Sequence, residues 1–298
     1  MWDAYIKGFK AYLMLERSMS DNTVEAYLRD VGMLRDHMLA NGMTGAEQVT
    51  LKELQGFLEA IYELELAVAT QARILSGVKA FFRYMVSEEM IKEDPTMLLE
   101  APKMKRTLPH VLSIEDIDKL FEVIDHSTPD GMRNRAMLET MYSCGLRVSE
   151  LTGLLISNLY LDLGFIKVLG KGNKERLVPI GEEAIKQIAL YKDNVRCFVD
   201  IKPGKEDFLF LSKRGSPLSR IMVFYIIKDL AVKAGLSSEV HPHTLRHSFA
   251  THLVEGGADL RAVQEMMGHK SITTTEIYTH LDRTYLRDTL EKYHPRYR

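Results

Sequence analysis

His243 and Arg246 stand three residues apart just after Pro242, in the stretch HPHTLRHSFATHLVEGGADLRAVQEMMGHKSITTTEIYTH at residues 241–280. Proline suits the first turn of a helix, so the two side chains fall on one face near the end where free backbone N–H groups favour negative charge. That is a place for an anion. Leu245, Phe249 and Leu253 recur at helical spacing on another face, which predicts a helix buried on that side and holding His243 and Arg246 outward. A shorter helix over Leu260–Met267 stops at Gly268, and His269 follows at once, aimed back toward a pocket by a left-handed glycine. Ser271 can cap the next segment, which carries Tyr278. Upstream, Gly145-Leu146-Arg147-Val148-Ser149-Glu150-Leu151 sets Glu150 three residues after Arg147, and Gly170-Lys171-Gly172-Asn173-Lys174-Glu175-Arg176 sets Lys171 between two glycines. Taken singly, each residue has an ordinary reading: an ion pair for an arginine, a solvated turn for the lysine, packing for one of 13 tyrosines.

Taken together and in this order, they resemble the signature of the tyrosine recombinases, the phage integrase family. The resemblance covers essentially the whole chain, and within the family the motifs look most like those of the bacterial Xer recombinases. It implies a catalytic set of Arg147, Lys171, His243, Arg246, His269 and Tyr278, with Glu150 orienting Arg147 from behind.

The chemistry fits these residue types. A phosphodiester resists attack because the nucleophile meets an anion and charge then builds on pentacovalent phosphorus. An arginine fork, charged at any relevant pH, can donate to two non-bridging oxygens, which is the role implied for Arg147 and Arg246. Tyr278 would attack and form a 3′-phosphotyrosyl bond that stores the energy of the broken linkage. Its phenol, with an ordinary pKa of about 10, needs a proton acceptor, implied to be His243. His269 would hydrogen-bond the phosphate, and Lys171 would protonate the departing 5′ oxygen, with Lys174 a weaker competitor. No metal or other cofactor is implied.

Two rival readings use the same residues. His243, His247 and His252 as zinc ligands have a helical spacing in their favour, but Thr244 stands where a metallohydrolase helix needs glutamate. A DNA-binding protein without catalysis would have no reason to keep all six polar residues.

These groups need a scaffold, and 298 residues with 46% hydrophobic content suffice for two domains. Residues 1–100 read as four amphipathic helices: one through Tyr5–Leu13, a second from Val24 to Met38, a third after Thr50 and a fourth through Ile74–Met85. The resemblance makes this a SAM-like core-binding bundle for DNA, with Arg73, Lys79 and Arg83 candidates for its DNA face. Residues 101–110, basic and holding Pro102 and Pro109, read as a linker. Residues 111–298 form the implied catalytic domain, opened by a cap at Ser113. Its predicted helices include Leu120–Ile124, Asn134–Tyr142, Glu182–Tyr191 and Arg220–Ala234. A small antiparallel sheet is predicted over Leu159–Gly164, Phe165–Leu169 and Arg176–Ile180, with Lys171 on its hairpin. The fold class is mainly α with a minor sheet. After Tyr278, Leu281, Tyr285, Leu286, Leu290 and Tyr293 make an apolar stripe with no obvious partner; in the family the corresponding helix packs into a neighbouring protomer.

The net charge of −2 is uneven: residues 1–100 carry 10 Lys and Arg against 16 Asp and Glu, residues 101–298 carry 29 against 25. No apolar run approaches the roughly 20 residues of a membrane helix, and no leader or anchor is read. Two cysteines, Cys144 and Cys197, without metal-type spacing suggest a reducing, cytoplasmic setting. The resemblance further implies double-stranded DNA with a dif-like site as substrate. It also implies a sister Xer recombinase in a tetramer on two sites, control by the FtsK translocase, and a role in resolving chromosome dimers. A mobile-element integrase is the alternative within the family.

Overall fold

The computed structural model describes residues 2–102, 111–170, 174–237, 239–268 and 280–297. The chain divides into two compact units, Met1–Thr107 and Leu108–Arg298, each with its own apolar core.

In the first unit, α1 (Trp2–Leu15), α2 (Asp21–Ala40), α3 (Leu51–Glu63) and α4 (Val68–Ser87) make the expected bundle. The residues read at helical spacing are buried or half-buried against one core, and Phe81 of α4 meets Phe9 of α1 edge-on with ring centres 5.4 Å apart. Thr50 and Glu53 cap α3 reciprocally, the Thr50 N–H donating to Glu53 Oε2 at 3.0 Å and the Lys52 N–H to Thr50 Oγ1 at 3.3 Å. Two cations expected on a DNA face have other work. Arg73 Nη1 donates to both oxygens of Asp30, at 2.5 and 2.6 Å, because that carboxylate is buried beneath α4 and must be paired; Lys79 Nζ donates to the Leu99 carbonyl at 2.6 Å. Arg83 is exposed.

The second unit begins with α5 (Ile114–Glu122), capped by Ser113, whose Oγ accepts the Asp116 N–H at 3.1 Å. Then come α6 (Pro129–Ser143), α7 (Val148–Thr152), β1 (Leu159–Tyr160), β2 (Phe165–Leu169), β3 (Glu175–Pro179), α8 (Glu182–Asn194), α9 (Arg220–Lys233), α10 (Pro242–Gly256), α11 (Leu260–Met267) and α12 (His280–Tyr293). Helix α6 starts at Pro129, well before Asn134, since Thr128 Oγ1 accepts the Gly131 N–H at 3.0 Å and proline suits the first turn. The sheet is antiparallel in the order β1-β2-β3. Its first strand is shorter than expected: Leu161–Leu163 turn as a 3-10 segment, and Gly164 reverses the chain at φ 72° so that Tyr160 pairs with Phe165. The hairpin between β2 and β3 is closed by the Gly170 N–H donating to the Lys174 carbonyl at 2.7 Å. Among the described residues, no helix is long and apolar enough to cross a membrane.

The C-terminal stripe is covered in part by its own unit, with Tyr285 half-exposed. Leu286 and Leu290 of α12 lie in the core of their own unit, His294 and Tyr297 are buried beyond it, and Arg296 donates to Asp118 and Glu139 at 2.5 Å each. The side chain of Leu281 lies outside the described residues. Two fully buried leucines are worth about 4–10 kcal/mol, comparable with the stability of a whole domain. A chain ending after His280 is therefore expected to lose cooperative melting of the second unit, read by calorimetry. A wild-type transition in that variant would show that the stripe contributes nothing to its own domain.

Candidate active site

Gly145 makes the turn from α6 into α7. Its φ is 57°, and a Cβ there would come within 2.3 Å of the Phe249 ring, so the chain reverses tightly against α10 only because this residue is glycine. Leu146 is buried, and Arg147 then stands at the mouth of α7, half-exposed. Glu150, one turn on, is buried; its Oε2 accepts the Arg147 N–H at 2.8 Å and its Oε1 accepts Arg147 Nη1 at 2.7 Å. Glu150 thus holds both the backbone and the side chain of Arg147 from its buried side.

Helix α10 starts at Pro242 behind His241, whose Nδ1 accepts the Thr244 N–H at 3.3 Å. Its apolar face is buried as read, but Arg246 does not point outward. It is 5% exposed and reaches inward, Nη1 donating to the Gly145 carbonyl at 2.6 Å and Nη2 to the Met267 carbonyl, with Glu150 Oε2 3.8 Å away. The cause is the end of α11: its last carbonyls lack partners within the helix and carry the negative end of its dipole, which draws cations. Arg147 Nη2 takes the Gly268 carbonyl at 3.0 Å, and a third arginine, Arg176 of β3, takes that of Met266 through Nε at 3.1 Å. Arg176 also grips Glu150 with both Nη atoms, at 2.7 and 2.9 Å.

Among the described residues of this cluster, three guanidinium groups share one carboxylate, which leaves positive charge unmatched beside solvent at Arg147. Burial pushes the Glu150 carboxyl up, but the bonds from Arg176 and Arg147 outweigh it and hold the group below its ordinary range. Burial, with repulsion from Arg147, lowers Arg246 to about 10, so it stays charged at neutral pH. His243 is exposed at the surface of α10, and partial desolvation plus neighbouring His241, His247, Arg246 and Arg147 hold it below its usual value. A lowered value favours the neutral imidazole, the form that can accept a proton.

The fold therefore gathers Arg147, Glu150 and Arg246, with His243 exposed three residues before Arg246 on α10. Lys171, His269 and Tyr278 lie outside the described residues, though Gly170 and Gly268, next to two of them, border the cluster. The zinc reading fails on geometry: His252 lies on the buried side of α10 with Nδ1 2.7 Å from the Tyr142 hydroxyl, away from exposed His243 and His247. Cys144 is buried with its thiol pushed up by desolvation, as a packed small residue. Arg176 was not foreseen. Its signal in the sequence was its place closing the lysine-hairpin motif, but nothing there told an exposed strand arginine from a buried one.

Residues 110–284 match the phage integrase family, and residues 6–89 match the family's N-terminal SAM-like domain. The chain belongs to the phage integrase family of tyrosine recombinases. It is 40% identical to tyrosine recombinase XerD of Oceanobacillus iheyensis over 99% of this chain and 100% of the relative. It is 41% identical to XerD of Chlorobaculum tepidum over 99% and 97%. Among solved structures it is similar to the XerH recombinase bound to a palindromic difH substrate in a post-cleavage complex, at 25% identity and a TM-score of 0.70 over 89% of this chain and 78% of that one. This recombinase is accordingly a site-specific enzyme of DNA strand cleavage and rejoining.

Proposed function

We propose that this recombinase resolves chromosome dimers at a dif-like DNA site in the cytoplasm, cutting through Tyr278. The observation that carries the reading is the convergence of Arg147 and Arg246 on Glu150 and the end of α11, where half-exposed Arg147 is backed by the buried charge of Arg246. A scissile phosphate displaces the Gly268 carbonyl from Arg147 Nη2 and takes a further donor from Arg246, so that charge building on the non-bridging oxygens meets fixed positive groups. The Tyr278 oxygen attacks phosphorus as its proton passes to neutral His243. The bond to the 5′ oxygen breaks as Lys171 supplies that oxygen with a proton, and His269 donates to the phosphate. The 3′-phosphotyrosyl bond is later attacked by a free 5′ hydroxyl, which reverses each transfer. The SAM-like unit, residues 1–100, holds the duplex, with residues 101–110 as the strap to the catalytic unit.

Relatives named XerD, alike over their full length, and a solved XerH on difH DNA support the dif-like substrate. The active assembly is a tetramer on two sites, two protomers of this chain and two of a sister Xer recombinase, governed by FtsK. A plasmid carrying two copies of the genomic dif-like sequence tests the reading: with the sister protein present it should resolve into two circles. Failure to resolve, with efficient recombination of mobile-element ends instead, would make the enzyme an element integrase.

A further inference from the structure

We infer that Arg176 is a positioning residue for cleavage: by gripping both oxygens of Glu150 it limits Arg147 to one side-chain bond with that carboxylate, so that the other end of the Arg147 fork can turn to phosphate. This rests on the reading of Arg147 as a phosphate clamp. The carboxylate of Glu150 sits among three arginines and could pair side-on with any of them. A bidentate pair is the strongest arrangement available to an arginine and a carboxylate, and an arginine so engaged has two fewer donors to offer an incoming anion. Arg176 takes that position, with Nη1 on Oε1 at 2.7 Å and Nη2 on Oε2 at 2.9 Å. Arg147 is left with a single side-chain bond to Oε1, and Arg246 stands off at 3.8 Å.

The third donor of Arg176 fixes where this happens. Its Nε bonds the Met266 carbonyl, one residue before the carbonyl held by Arg246 and two before that held by Arg147. One buried side chain thus ties β3, the strand that follows the lysine hairpin, to the carboxylate and to the helix end from which the chain runs to His269. The packing is close on both sides. A Cβ on Gly268 would meet the Arg176 guanidinium at 3.2 Å, and one on Gly170 would meet Arg176 Nη1 at 3.4 Å. Without Arg176 the freed carboxylate turns to Arg147, and the fork that should meet phosphate is consumed.

The test is a double-mutant cycle read on a nicked suicide duplex carrying the dif-like site, with DNA affinity and melting temperature measured alongside. Arg176→Met is expected to slow covalent cleavage about 10- to 100-fold, the usual cost of losing a group that orients a functional one, with DNA affinity unchanged. In an Arg147→Lys background the same change should cost no more than about threefold, since the fork it protects is already gone. Should Arg176→Met fail to fold, Arg176→Lys is read in the same cycle; it keeps the charge beside Glu150 but cannot hold both oxygens and the Met266 carbonyl together. Equal losses in both backgrounds, or wild-type cleavage by a folded Arg176 variant, would overturn the inference. Wild-type cleavage by Arg147→Lys alone would instead remove the clamp reading on which it rests.

Discussion

Tyr278→Phe is expected to abolish covalent attachment to DNA, with a cost in cleavage rate on the order of 10⁶-fold, as when other covalent catalysts lose their nucleophile. The measurement uses a duplex nicked beside the scissile phosphate, so that the departing fragment diffuses away and the phosphotyrosyl adduct accumulates. Wild-type protein should give a protease-sensitive adduct in EDTA, because in the proposed mechanism Arg147, Arg246, Lys171 and His243 supply the charge neutralisation and proton transfer that a metal ion provides elsewhere. Phenylalanine keeps the ring while deleting the oxygen proposed to attack, so DNA binding should persist. An adduct formed by Tyr278→Phe would place the nucleophile on another residue; loss of the wild-type adduct in EDTA would mean that the arginine cluster does not suffice.

The second large effect concerns the two forks. Arg147→Lys and Arg246→Lys should each lower the cleavage rate about 10²- to 10³-fold, the range seen when one donor to a developing oxyanion is lost. Affinity for the site should stay within a few-fold, since one cation among many backbone contacts is preserved. Lysine offers a point charge without a planar fork. At position 246 it must also choose between the Gly145 and Met267 carbonyls that arginine now bonds together, so Arg246→Lys should be the more damaging of the two. Single-turnover cleavage with saturating protein decides the matter; either variant cleaving within a few-fold of wild type is not a phosphate clamp at that position.

Much of the fold was legible because helical periodicity and end signals are local. Phe57 and Ile61, or Phe81 and Met85, recur every turn and are buried on one face. Gly257 and Gly268 end α10 and α11 in left-handed conformations, as glycines after helical runs tend to do. Errors came where local pattern and cap chemistry disagree, as at Thr128-Pro129, where the cap extends α6 beyond its apolar run. The short β1 is another case, fixed by a turn at Gly164 and by pairing with β2.

What the chain determined by itself is the identity of the chemistry. Arg147, Glu150, Lys171, His243, Arg246, His269 and Tyr278 stand in motifs whose residue types suit transfer at a phosphodiester, and that much is covalent order, present before folding. The tertiary structure decided which way those side chains face and what holds them. Arg246 turned inward because the unpaired carbonyls ending α11 come to rest beside it. Arg73 became the partner of buried Asp30, since a charge enclosed between helices requires an opposite charge wherever one is in reach. Arg176 entered the site through strand register, and Leu286 and Leu290 of the α12 stripe closed on their own unit. Each of these depends on contacts between residues far apart in sequence, whose distances no periodicity records and only packing sets.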